Sequence, residues 1–222
     1  MSQLRYEKVH CNECGHVFKV QIWSSINATL DPDLERQLLD GSLIRASCAK
    51  CGSEHKYIYD TLYHDMNRNF MVEYSGDDEE SSADEPVQDK EMQNALQKYR
   101  YLRRVYSWNH LREKVVIYRD GLNDIVVELV KAMIMLHELD MKQPEDNLLW
   151  YLGTKVSSNK KLLIFEILNA GRPPTDIGVP IDLYEHYAAK YGISASQYRV
   201  GTFSVVNQGE ILNILNELRE AD

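Results

Sequence analysis

The stretches HCNECGHVFKV (residues 10–20) and SCAKCGSEHKY (47–57) decide the reading of this chain. Each contains Cys-x-x-Cys followed at once by glycine, and together they hold all four cysteines of the 222 residues. A Cys-x-x-Cys turn offers two thiolates from one tight loop, and a second such turn completes a tetrahedral donor set. A glycine after the second cysteine accepts a positive φ, which turns backbone N–H groups toward the sulfurs. Two such knuckles flanked by strands are the pattern of a zinc ribbon, with Cys11, Cys14, Cys48 and Cys51 as the ligands of a structural Zn2+. Two structural disulfides are disfavoured in a reducing compartment. A redox dithiol is the competing reading, although such a pair normally stands alone at a helix start in a βαβ unit.

The segment between the knuckles is longer than a simple ribbon needs. LDPDLERQLLDG (30–41) accounts for the excess as an inserted helix over 32–40. Asp31 is placed to cap it, Pro32 suits its first position, Leu34, Leu38 and Leu39 form one apolar face, and Gly41 can end it. Around it, HVFKVQIW (16–23) alternates with period two and reads as a strand. SLIRASC (42–48), HKYIYD (55–60) and NFMVEY (69–74) read as further strands.

The knuckles, the stretch around WSSIN, TLDP and LLDG, and the stretch LYHDM followed by FM resemble the bacterial CpXC domain family over about residues 9–74. The C-terminal half resembles the region that accompanies this domain in some members. The family is named for a proline after the first cysteine of each knuckle. This chain has Asn12 and Ala49 there, which loosens each turn without removing a ligand. The resemblance implies zinc binding and no established activity.

Beyond the knuckles lies DDEESSADEPVQDKE (77–91), with eight acids and one lysine. It cannot bury a core and reads as a flexible tether over 76–90. The expected organisation is therefore a ribbon module over 1–75, an acidic linker over 76–90 and an α+β domain over 91–222. The formal charge of −9 belongs mainly to that run, since residues 1–76 carry −2 and residues 92–222 are neutral. Neither flank is basic enough to point to nucleic acid. The chain is 44% hydrophobic and 27% charged, which suits a water-soluble globular protein. No signal segment and no membrane span is visible, so the expected compartment is the cytoplasm.

In the C-terminal part, RYLRRVY (100–106) reads as a strand, and Ser107 is placed to cap a helix from Trp108 that ends at Asp120-Gly121. A longer helix spans about Leu122 to Glu138. LLWYLGT (148–154) and KLLIFEIL (161–168) pair across KVSSNK. Asp182 with Glu185, and Asn207 with Glu210, form candidate capping boxes, and QYRVGTFSVV (197–206) reads as a strand. The fold class is α+β.

Other candidates are weaker. His16 and His55 lie near the knuckles, but four thiolates already fill the site, so they read as strand-surface histidines. His64 with Asp65 offers an acid–base pair or an outer partner to the metal, against a simple packing role. HELDM (137–141) lacks the second histidine of a zincin motif. The run of Tyr99, Arg100, Tyr101, Arg103, Arg104, Tyr106 and Trp108 could stack single-stranded bases, but it reads better as a strand with rings in the core. The function expected from sequence is a non-enzymatic module that binds another protein. The alternatives are a thiol-redox protein working through the Cys-x-x-Cys pairs, or an enzyme with its site in the C-terminal domain.

Overall fold

The structure is a computed structural model that describes residues 1–76, 94–138, 147–169, 172–191, 202–207 and 211. The acidic run, most of HELDM, the first half of the 197–206 stretch and Glu210 of the Asn207/Glu210 box lie outside the described residues. The chain forms two compact units. The first comprises Met1–Arg112 and takes in Ser204; the second begins at Glu113.

The first unit is built on a five-stranded sheet of order β1-β2-β5-β6-β7. Strand β1 (Gln3–His10) and β2 (Val17–Asn27) form an antiparallel hairpin whose turn is the first knuckle. The far end of β2 pairs in parallel with β5 (Thr61–Asp65), which pairs antiparallel with β6 (Phe70–Tyr74). Strand β7 (Tyr101–Val105) lies parallel to β6 and completes the sheet. From sequence, β7 opens the C-terminal domain; here it belongs to the N-terminal unit, because a strand pattern reports burial but not which sheet supplies the partner. A separate hairpin of β3 (Arg45–Ser47) and β4 (Glu54–Lys56) carries the second knuckle. The expected strand over 42–48 begins instead as a single 3-10 turn over Ser42–Ile44.

Helix α1 (Pro32–Asp40) occupies the place read for it. Pro32 stands at the first turn, and Gly41 closes the helix at φ 78° with its N–H on Leu38 C=O. Asp31 sits at the N-cap, but its carboxylate accepts the Ser2 hydroxyl at 2.6 Å and makes no cap bond. Leu34 and Leu38 are buried with Val20, Ile22 and Ile26 of β2. The Tyr63 and Phe70 rings stack at 5.5 Å, and Trp108 meets Tyr59 and Tyr74 edge-on. The arginine and tyrosine run is interior only in part: Tyr101 and Arg103 are buried and Arg103 donates to Ser204, Arg104 is half-buried and pairs with Glu73 at 2.8 Å, and Arg100 is exposed.

Helix α2 (Trp108–Arg119) is capped by Ser107, whose Oγ accepts the His110 N–H at 3.1 Å. It ends in a paired turn, with Leu122 N–H on Ile117 C=O and Gly121 N–H on Tyr118 C=O, and Gly121 at φ 75°. In the second unit, Asn123 caps α3 (Asp124–Glu138) through Oδ1 to the Ile125 N–H at 2.9 Å. Strand β8 (Asn147–Ser157), β9 (Lys160–Asn169) and β10 (Thr175–Pro180) form an antiparallel sheet of order β10-β9-β8. Helix α4 (Ile181–Lys190) starts directly after Pro180, two residues earlier than the Asp182/Glu185 box requires. The box does not form, and Asp182 lies in the first turn, where the helix dipole favours an acid.

Among the described residues the second unit buries five charged side chains: Glu113, Lys114, Asp124, Glu128 and Lys131. Lys131 Nζ lies 2.7 Å from Glu113 and 3.1 Å from Glu128, and Lys114 Nζ lies 3.0 Å from Asp124 and 3.6 Å from Glu128. Glu113 also accepts the Tyr151 N–H at 2.6 Å. Burial pushes the Glu113 carboxyl above its usual range against the pull of Lys131. For Lys131, burial alone would lower the ammonium, but Glu113 and Glu128 outweigh it and hold it above its usual range.

Candidate metal centre

The two knuckles repeat one local geometry. In the first, Gly15 N–H donates to Cys11 C=O and Cys11 N–H donates to His16 C=O, both at 2.9 Å. In the second, Gly52 N–H donates to Cys48 C=O and Cys48 N–H donates to Ser53 C=O, again at 2.9 Å. Both glycines take the left-handed conformation, Gly15 at φ 66° and Gly52 at φ 75°. Strand β2 leaves the first knuckle and the β3–β4 hairpin holds the second.

These turns bring Cys11, Cys14, Cys48 and Cys51 together, with all four Sγ atoms within 4.8 Å of one another. Cys11 Sγ is 3.6 Å from Cys51 Sγ, and Cys14 Sγ is 3.7 Å from Cys48 Sγ. A disulfide needs about 2.05 Å, so these are free thiols. A tetrahedron of metal–thiolate bonds of about 2.3 Å has sulfur–sulfur edges of roughly 3.8 Å. The two close pairs match those edges, and the four thiols lie near enough together to hold a metal ion. Cys11 and Cys48 are buried, Cys14 is half-buried and Cys51 is exposed.

Two residues read as bystanders, or not read at all, join the site. Ser53 Oγ lies 3.2 Å from Cys11 Sγ and 3.0 Å from Cys51 Sγ. His55 Nε2 lies 3.2 Å from Cys11 Sγ and 2.9 Å from Ser53 Oγ. His55 is therefore not a surface histidine of β4 but an outer partner of the cluster. The sequence carried a signal: Cys51, Ser53 and His55 are spaced by two, which puts them on one face of an extended segment. His16 contributes backbone groups instead: its C=O takes the Cys11 N–H, and its N–H bonds the Cys14 thiol.

The donors divide the thiols electrostatically. The Ser53 hydroxyl, with the Cys14 and Glu13 N–H groups and His55, overcomes desolvation and pulls Cys11 down to about 5. Ser53 likewise lowers Cys51. The His16 N–H draws Cys14 down, but desolvation and the other three thiols prevail and push it up to about 12. Without a cation, the four sulfurs cannot all ionise together; a bound metal ion would remove that conflict.

His64 and Asp65 do not form an acid–base pair. Adjacent on β5, they face opposite sides of the sheet. Asp65 is buried and accepts N–H bonds from Asn67 at 2.9 Å and Arg68 at 3.0 Å, a hydroxyl from Thr29 at 3.2 Å and the Arg68 guanidinium. It ties the β5–β6 turn to the loop before α1. His64 is lowered by desolvation first and by the chain's amino terminus second. Among the described residues no helix is long and apolar enough to cross a membrane.

No curated protein and no solved structure matches the chain. The family model described as CpXC protein matches residues 9–131, which takes in both knuckles, the five-stranded sheet apart from most of β1, α2 and half of α3. On that match, over more than half its length, the chain belongs to the CpXC family.

Proposed function

We propose that the chain is a zinc-binding protein whose four-thiolate site is structural, and that its function is to bind another protein in a reducing cytoplasm rather than to catalyse a reaction. The observation that carries this reading is the convergence of Cys11, Cys14, Cys48 and Cys51 from two knuckles of the same geometry. Four protein ligands close a tetrahedral site and leave no position for substrate, which is the mark of structural zinc. Thiolates and a tetrahedral cage favour Zn2+ over hard cations such as Mg2+ or Ca2+. The knuckle module has few buried side chains near β3 and β4, so metal binding supplies folding free energy there.

The test is metal analysis and thiol titration on one untagged, aerobically purified sample. About one zinc per chain is expected, with thiols released to the titrant only after chelation. Cys48→Ser is expected to lose most of the zinc and the order of the knuckles, and a folded, fully loaded Cys48→Ser protein contradicts the ligand set.

One observation favours a second reading. Cys11 and the exposed Cys51 lie 3.6 Å apart, and Cys11 is held at about 5. Such a pair could pass two electrons to an external disulfide and close a bond between its own sulfurs. A metal-free preparation whose thiols cycle readily between the dithiol and the disulfide would put this reading first.

A further inference from the structure

Strand β2 is half open. On one side it pairs with β1 from Val17 to Ser25; on the other it pairs with β5 only over Ser25–Asn27. Trp23 shows which backbone groups face the open side. Its C=O accepts the Thr61 hydroxyl at 2.7 Å, and its backbone also bonds the Tyr59 hydroxyl. Backbone direction alternates along a strand, so Lys19 and Gln21 turn their N–H and C=O the same way. Among the described residues no backbone partner meets them. This is a short, unfilled sheet edge inside the fold.

A cleft of about 260 Å³ runs along that edge. Lys19, Gln21 and Trp23 form one wall, Arg45 and the 3-10 turn before it form the other, and Tyr57 and Tyr59 close it. The charged side chains on its lining are Lys19 and Arg45, both basic, with no carboxylate among them. Arg45 pairs with Glu54 at 3.2 Å, but both side chains are about half exposed, and such a pair holds its partner weakly. The two walls are tied to the metal centre. The β2 wall follows the first knuckle directly, and the β3 wall ends at Cys48.

We propose that this cleft binds an extended acidic segment of a partner protein, which adds a strand along Lys19–Gln21 and sets its carboxylates against Lys19 and Arg45. The proposal rests on the protein-binding reading and names the surface and the partner's chemistry. Main-chain pairing supplies affinity, and the two basic side chains supply selection by charge. Both walls join the cysteine cluster at one end, so a bound metal would hold them at a fixed separation there.

The probe is a fluorescein-labelled octapeptide alternating valine and glutamate, titrated into the full metal-loaded chain by fluorescence anisotropy. Controls are the same peptide with lysine for glutamate, and with alternate amides N-methylated. Saturable binding is expected, at least about tenfold tighter for the acidic peptide and at least about tenfold weaker after N-methylation on the pairing edge. The double variant Lys19→Glu/Arg45→Glu is expected to reverse the charge preference while keeping its metal. No saturable binding to a folded, loaded chain overturns the proposal. So does binding that ignores both N-methylation and charge reversal. Metal content of the same sample separates the failures: a loaded chain blind to the peptide sinks this inference alone, whereas a chain that takes no metal sinks the reading beneath it as well.

Discussion

Ser53 Oγ lies 3.2 Å from Cys11 Sγ and 3.0 Å from Cys51 Sγ, so its single hydroxyl proton can serve either sulfur. A donor to sulfur favours the thiolate, and a proton must displace the metal to reach it. In Ser53→Ala the thiols regain protons at higher pH. Metal release, followed with a chromogenic chelator on stepwise acidification, is therefore expected at a higher midpoint than in the native chain. An unchanged midpoint contradicts a role for Ser53 at the sulfurs. Gly52 permits a cleaner backbone test. At φ 75° an added Cβ meets nothing within 4 Å, so Gly52→Ala carries only the left-handed penalty of roughly 1–2 kcal/mol. Thermal melting of the loaded protein is expected to show that loss with metal content unchanged. At this scale the four cysteines and two glycines were legible because chemistry demands those residue types at that spacing. Ser53 was not singled out and His55 was set aside as a strand-surface histidine, because serine and histidine are common on strand surfaces and only the period of two hinted at their shared face.

The elements show what hydrophobic patterning does and does not carry. Helices α1 and α2 stood out because caps, apolar stripes and glycine stops agreed, and α3 stood out from its apolar stripe. The β8–β9 hairpin stood out from its two apolar runs. Strand β1 did not, since nearly all of it is exposed and no buried alternation marks it. Strand β10 holds Gly178 and Pro180, residues that argue against a strand, and it survives as an edge. Strand β5 follows closely on irregular chain and is only five residues long. The β8–β9 turn offers a prediction. Ser158 and Asn159 both take positive φ, 48° and 62°, the geometry of a two-residue turn that favours Asn-Gly. The double variant Ser158→Asn/Asn159→Gly is expected to stabilise the second unit by about 1 kcal/mol, read by urea unfolding. No gain, or a loss, would mean that the two side chains make contacts worth more than the strain they bear.

Across the whole molecule, the two compact units are held by different means. In the second, Lys131 neutralises Glu113 and Glu128 with almost no water present. Removing one partner strands the others, so Lys131→Met is expected to destabilise by about 3–5 kcal/mol. Adding Glu113→Gln to that variant is expected to recover part of the loss, and strictly additive effects in denaturant unfolding would show that the two side chains are not coupled. The raised Lys131 value fixes the sign with pH. Its contribution is fully present below the ordinary lysine value and is lost as pH rises through the higher folded one. In the first unit the region around the cysteine cluster would depend on a bound metal. Chelation is expected to raise amide exchange sharply over residues 11–16 and 45–56 and to leave β8 and β9 unchanged. Uniform deprotection of both units would show that the metal stabilises the chain globally. The association of β7 with the N-terminal sheet belongs to this scale too. It depends on a strand meeting a partner laid down far earlier in the chain, which local patterning cannot report.

The equivalence of the two knuckles has a kinetic side. Each presents two thiols from a preformed turn, so an arriving ion has two similar landing places and no imposed order of capture. Whichever pair it meets first, the second step joins segments more than thirty residues apart. A covalent bridge closing a loop of that size would remove denatured-state entropy worth roughly 4 kcal/mol. A metal ion accomplishes the same closure without oxidant, and it can be withdrawn. A bound ion would thus act as a removable cross-link, and the order of this region would then follow the free metal concentration.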